Sequence, residues 1–185
     1  MSEQAQPLMD AVKKHIKDNV DPITEEFYAL DNEKEDRWSW HPRQLELLDG
    51  AKAKAKKSGL WNFFLPDSEM GEGLTNLDYA YIAAELGKSN LASETLNCSA
   101  PDTGNMEVLE RVGTPAQKEQ WLKPLLNGEI RSAYAMTEPG IPSSDAKNIS
   151  TEAVPDGDEW VINGEKFYIS GAGDPRCKIM ITMVK

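Results

Sequence analysis

The chain has 185 residues, 39% of them hydrophobic, and a formal net charge of −11 from 20 basic and 31 acidic residues. That length fits one domain or two small ones, and the acidic balance excludes the basic footprint that nucleic-acid binding needs. No apolar run reaches the ~20 residues of a membrane-spanning helix.

The N-terminal stretch MSEQAQPLMDAVKKHIKD lacks the apolar segment of a secretory signal. It carries acidic residues and no arginine, unlike a mitochondrial transit peptide. Leu8, Val12, Ile16 and Val20 recur every four residues, which predicts a helix starting near Pro7. A second helix starts at Asp21 with Pro22 at its first position, and Ile23 and Phe27 continue its apolar face. NEKEDRWSW reads as a polar loop. HPRQLELLDGAKAKAKKSG reads as a helix closed by Gly59. Its basic run, Lys52 to Lys57, fits a solvated helix C-terminus. LWNFFLPDSEMGEGLTN is aromatic but not periodic, so a partly buried loop is expected.

NLDYAYIAAELGKS predicts a helix with Leu77, Tyr81 and Ala84 on one face. Further helices are expected near Leu91 to Cys98 and near Gly104 to Val112. Thr114, Pro115 and Gln117 form a capping box that opens the next helix, which Pro124 must kink or break. Two cysteines, Cys98 and Cys177, make no disulfide framework. Two histidines, His15 and His41, make no metal-ligand spacing and read as helix-surface or cap residues. A reduced, cytoplasmic protein without a metal is the expectation.

At Ile130 the pattern changes. NISTEAV, EWVIN, EKFYIS and CKIMITMVK are short β-branched or aromatic segments, separated by the hairpin signals PDGD and NGE. The predicted class is α+β. A helical domain over residues 1–130 precedes an antiparallel β domain over 131–185. With roughly four or five strands and no closing turn, that second part reads as incomplete, either a fragment or a chain needing a partner at its edge.

The segment SAYAMTEPGIPSSDAKNIS combines Gly140, prolines and the hydroxyls of Thr137, Ser143 and Ser144. Such a turn can gather backbone N–H groups around an anion, although a plain strand connection has the same composition. No Gly-Lys-Ser/Thr follows, so it is not a P-loop, and no G-x-G-x-x-G lies between a strand and a helix. Glu138 reads as a surface carboxylate beside the turn.

AYAMTEPGIPSSDAKNI followed by GDEWVINGEKFYISGAG resembles acyl-CoA dehydrogenases. Their signature is an apolar pair, T-E-P, a small-residue turn ending in Ser-Asp, then I-N-G-x-K-x-[W/Y]-I-[T/S]. AAELGKSN and GTPAQKEQWLKPLLNGEIRSAYAMTEP also look like that family's helical domain, so the resemblance spans nearly the whole chain. It implies an N-terminal helical domain, a middle β domain and a C-terminal four-helix domain, with FAD between the last two, usually in a homotetramer. It also implies oxidation of an acyl-CoA to the trans-2-enoyl-CoA and electron delivery to an electron-transferring flavoprotein.

Carried over by that resemblance, Tyr134, Ala135, Met136 and Thr137 match the strand that contacts the flavin. Ser144, anchored by Asp145, matches the serine beside the FAD pyrophosphate and the acyl-CoA thioester. Tyr168, Ile169 and Ser170 match the second flavin-contacting run, with Tyr168 for the commoner tryptophan and Ser170 for the commoner threonine. The turn TEPGIPSSD is one residue longer than the usual TEPGAGSD, which leaves open whether Ser143 or Ser144 faces the pyrophosphate. It resembles a TEPxVASSDAxNI subgroup linked to longer or unusual acyl chains. The family's catalytic glutamate belongs to the C-terminal helical domain, so no residue here is assigned that role. Two other readings fit the same residues: a non-catalytic interaction or acyl-binding module, and an acyl-CoA oxidase.

Overall fold

The structure, a computed structural model, describes residues 1–3, 5–66 and 71–185. The part of the expected aromatic loop at 67–70 lies outside them. The chain is α+β, with its helices ahead of its strands, and divides into two compact units, Met1–Thr103 and Gly104–Lys185.

In the first unit, α1 (Gln6–His15) and α2 (Asp21–Ala29) are joined by a π-helical turn over Ile16–Val20. The wider turn sits just ahead of Pro22, whose ring has no N–H to donate to the helix ladder. The buried stripe of this pair is Met9, Val12, His15, Val20 and Phe27.

His15 is therefore core, not surface. Its Nε2 lies 3.2 Å from Thr95 Oγ1, and Asn19 Nδ2 lies 3.3 Å from its Nδ1. Burial, and then the charge of Lys54, push its pKa down. A folded-state pKa below the unfolded value of about 6.5 favours the neutral ring. That stability is present above about pH 6.5 and is lost as pH falls toward the folded pKa. The urea midpoint should accordingly drop more for the native chain than for His15→Gln between about pH 7.5 and about pH 5.5. Parallel loss in both would contradict this.

α3 (Pro42–Lys57) begins with His41, whose Nδ1 accepts from Arg43 N at 3.2 Å, while Gln44 Oε1 accepts from His41 N at 3.2 Å. Gln44 is fully buried and its Nε2 also donates to Phe27 O and Asp31 Oδ1, at 2.9 and 2.8 Å. Lys52 departs from the solvated-face expectation: it is buried and paired with Glu94 at 2.9 Å. Ser58 and then Gly59, at φ +70°, end the helix, as expected.

α4 (Asn76–Leu86) buries Asp78, Ile82 and Leu86, and leaves Leu77 and Tyr81 exposed. The inward face is thus opposite to the one periodicity suggested. Asp78 anchors it by accepting from Ser2 N at 2.6 Å, Ser2 Oγ at 3.0 Å and Thr75 Oγ1 at 2.9 Å. The short α5 (Ala92–Thr95) follows. Phe63, Leu48, Leu65, Ile82, Leu86 and Leu96 are among the fully buried large side chains here. Cys98 is a buried free thiol whose pKa burial pushes up to about 12, so it is inert at neutral pH.

α6 (Asp102–Val112) leads into the second unit. α7 (Pro115–Gln117) and α8 (Lys123–Leu126) flank a second π turn, Lys118–Leu122, again just ahead of a proline, Pro124. The expected capping box is present: Gln117 N donates to Thr114 Oγ1 at 3.2 Å and Thr114 N donates to Gln117 Oε1 at 2.9 Å. Thr114→Ala should cost about 1 kcal/mol in a denaturant melt; an unchanged midpoint would show that this cap is dispensable.

Four strands complete the unit: β1 (Arg131–Ala135), β2 (Glu152–Asp156), β3 (Glu159–Asn163) and β4 (Cys177–Thr182). β2 and β3 form the expected antiparallel hairpin, turned at Gly157 with φ +62°. β1 and β4 instead pair in parallel, with Ser132 opposite Ile179 and Ala135 opposite Thr182. The backbone continues that strand past β4. Met183 N donates to Ala135 O at 2.9 Å, and Lys185 N donates to Thr151 O at 3.0 Å. The expected strand EKFYIS does not form. Tyr168 turns into the left-handed region at φ +57°, which no strand accommodates. Asn105, buried on α6, fixes β1 by donating from Nδ2 to Ser132 Oγ at 2.8 Å and Ala133 O at 3.0 Å.

Candidate functional site

The chemistry-bearing segments meet at the end of β1. Along this strand Ala133 and Ala135 face inward, so Tyr134 and then Met136 face the other way; Tyr134 is exposed and Met136 half-buried. Thr137 follows, and its backbone and side chain both join the run 167–170. Phe167 N donates to Thr137 O at 2.8 Å, and Thr137 Oγ1 donates to Phe167 O at 2.5 Å. The Thr137 hydroxyl proton is therefore committed, and its oxygen is left as an acceptor toward any ligand.

Tyr168 comes next and is 86% exposed, its ring 4.1 Å from that of Phe167 between centroids. Apart from that contact with Phe167, the ring is open to solvent, and a left-handed backbone holds it there. Ile169 is half-buried and Ser170 exposed. The structure thus brings Thr137 together with the residue preceding Tyr168.

The two serines of the turn are placed differently. Ser143 is buried, and its Oγ accepts from Glu138 N at 2.5 Å inside its own loop. Ser144 is exposed. Asp145 accepts from Lys147 N at 3.0 Å and so caps the 3-10 turn Ala146–Asn148. Gly140 has φ +76°, a left-handed backbone that favours glycine, and open space where a side chain would stand.

Glu138 is not the surface carboxylate that its place beside a turn suggested. It is 7% exposed. Its Oε2 accepts from Ser150 N at 2.8 Å and Ser150 Oγ at 2.5 Å. Its Oε1 accepts from Thr151 N at 2.9 Å, Thr151 Oγ1 at 2.5 Å and Lys166 Nζ at 2.8 Å. Burial opposes ionisation, but Lys166 and the donors of Ser150 and Thr151 outweigh it and hold the carboxyl well below the usual carboxylate range. Sequence reasoning passed over Lys166 as well. The available signal was the lysine of I-N-G-x-K, which is also the one basic residue between Lys147 and Arg176.

A groove of about 310 Å³ in this unit, lined by Val108, Val112, Trp121, Ile179 and Ile181 among others, contains no ionisable side chain. Among the described residues no group of three His, Cys, Asp or Glu could hold a metal, and no helix is long and apolar enough to cross a membrane.

Comparison with known proteins matches residues 2–129 to the N-terminal domain of acyl-CoA dehydrogenases and residues 133–185 to their middle domain. Acyl-CoA dehydrogenase family member 11 of Gallus gallus is 46% identical over 187 residues, which is 100% of this chain and 23% of the relative. The chain thus spans about a quarter of that relative's length. A structure described as an acyl-CoA dehydrogenase from Mycobacterium abscessus superposes with a TM-score of 0.88 at 46% identity, over 98% of this chain and 46% of that one. An acyl-CoA dehydrogenase from Bacillus anthracis, solved with FAD, shares the fold at a TM-score of 0.68 and 23% identity, over 100% of this chain and 29% of that one.

Proposed function

This chain belongs to the acyl-CoA dehydrogenase family, and from that premise we propose that, as part of an intact protein whose catalytic glutamate lies outside these 185 residues, it serves FAD-dependent α,β-dehydrogenation of an acyl-CoA to the trans-2-enoyl-CoA, with an electron-transferring flavoprotein as acceptor. The observation that carries the proposal is the double hydrogen bond between Thr137 and Phe167. It joins the T-E-P strand to the F-Y-I-S run and makes one wall of them. The helical domain over 1–130 and the β domain over 131–185 are part of the same proposal.

The residues of that wall fit a flavin. An isoalloxazine is a flat aromatic system with a polar edge. Tyr168 offers an exposed ring for its face, and Thr137 Oγ1 offers an acceptor for a ring N–H. Tyr134, Ala135, Met136, Ile169 and Ser170 line the same two segments. Ser144, whose side chain is exposed, is the serine proposed for the pyrophosphate and the thioester end; Ser143 is engaged within its own loop. FAD, when bound, supplies the two-electron oxidation. The chain's own residues orient it, cover one face of it and keep water from that face.

Glu138 is excluded as the base that removes the α-proton. A base must reach the substrate and accept a proton there. Glu138 is buried, its oxygens are filled by five donors, and Lys166 keeps it ionised.

The family's catalytic glutamate belongs to a C-terminal helical domain, so these 185 residues alone are expected to be inactive. The test is to purify the intact protein that carries them, add a saturated acyl-CoA without oxygen and follow the flavin absorbance. Bleaching with release of the enoyl-CoA is the expected result. A protein that takes up no FAD, or one whose flavin is untouched by every acyl-CoA tried, would sink the proposal. Reoxidation by oxygen rather than by an electron-transferring flavoprotein would make it an oxidase.

A further inference from the structure

Resting on the flavin reading above, we infer that the Glu138–Lys166 pair is a positioning clamp that sets the two proposed flavin-contacting segments, 134–137 and 167–170, against each other. Lys166 is where the two meet. Its Nζ donates to Met136 O at 3.0 Å and to Glu138 Oε1 at 2.8 Å. The side chains are 12% and 3% exposed, so solvent does little to weaken the pair. The residue after Lys166 is Phe167, and the residue before Glu138 is Thr137. The clamp therefore lies directly beside the two Thr137–Phe167 hydrogen bonds that build the wall.

Glu138 extends the clamp to a third segment through Ser150 and Thr151. Gly164 closes it from behind. A Cβ on that glycine would lie 2.3 Å from Thr151 Oγ1, so the backbone of 164–166 passes the clamp at closest approach. The pair touches no proposed ligand atom. It acts through Thr137 and Tyr168, by fixing the relative height and rotation of the strand and the run.

A clamp and a merely stabilising pair make different forecasts. Stabilisation alone predicts a lower melting temperature and an unchanged FAD affinity in the folded protein. Positioning predicts that the folded protein binds FAD more weakly, and that the weakness tracks the geometry of Lys166. Three variants separate these: Lys166→Met, which removes Nζ and both of its hydrogen bonds; Glu138→Gln, which keeps the shape and removes the charge; and Lys166→Arg, which keeps the cation.

Two readouts are needed on the purified intact protein. FAD affinity comes from fluorescence titration, and amide hydrogen exchange of the peptide spanning 164–170 reports the Phe167 N–H directly. Lys166→Met and Glu138→Gln should each weaken FAD binding by about tenfold or more and speed exchange at 164–170, with exchange in α6 unchanged. Lys166→Arg should recover most of the affinity. Should Lys166→Met fail to fold, Glu138→Gln carries the same comparison.

Folded variants that match the native protein in both affinity and exchange would overturn the clamp and leave the flavin reading standing. A native protein that takes up no FAD would overturn the flavin reading, and the positioning role with it.

Discussion

Replacing Phe63 by alanine is expected to lower the unfolding free energy by about 3–5 kcal/mol. Phe63 is fully buried and stands edge-on to Tyr79, with ring centroids 6.4 Å apart. The size of the effect depends on whether the site can collapse, and here the backbone around it is pinned. Asn62 takes φ +55°, its N–H donates to Leu96 O at 3.3 Å, and Asn97 Nδ2 donates to its Oδ1 at 2.6 Å. Leu65 N donates back to Asn62 O at 3.3 Å. The surrounding chain cannot follow the lost ring, so most of its volume remains as a cavity. Chemical denaturation measures the loss, and a drop below about 1 kcal/mol would show that the segment relaxes after all.

Gly164→Ala is expected to cost about 1–3 kcal/mol and to damage the site as well as the fold. The new methyl would lie 2.3 Å from Thr151 Oγ1 and 2.7 Å from both Thr151 Cβ and Cγ2. These are branch atoms next to the backbone, not the far end of a flexible chain, so Thr151 must move bodily. Its hydroxyl and its N–H both donate to Glu138 Oε1, at 2.5 and 2.9 Å, and both bonds go with it. The effect should therefore shrink in a Thr151→Ala background, a coupling that a double-mutant cycle reads directly. Additive losses would place the strain elsewhere.

What could be read from the sequence was mostly local. The Thr114 capping box, the His41 cap, the end of α3 at Gly59 and the PDGD hairpin each depend on residues within a few positions. The order of helices before strands and the family motifs were legible for the same reason, as patterns contiguous in the chain.

Most of the misreadings share one cause. Periodicity counts apolar residues, and it cannot see a polar residue whose partner comes from far away. His15 meets Thr95 across 80 positions, Asp78 meets Ser2 across 76, and Glu138 meets Lys166 across 28. Each was expected on a surface, or went unremarked, and each is buried with that partner. The parallel pairing of β1 with β4 was hidden likewise, since no turn signal marks two strands so far apart. Tyr168 departs for another reason. Its composition suits a strand, but its left-handed backbone ends any strand and turns the ring outward.

That outward ring gives the flavin wall its most direct test. The direct measurement is a structure of the purified protein with FAD bound. The Tyr168 ring and Thr137 Oγ1 are expected within about 4 Å of the isoalloxazine, with the Thr137–Phe167 hydrogen bonds intact. An isoalloxazine bound away from both segments, with Tyr168 still in solvent, would contradict the flavin wall.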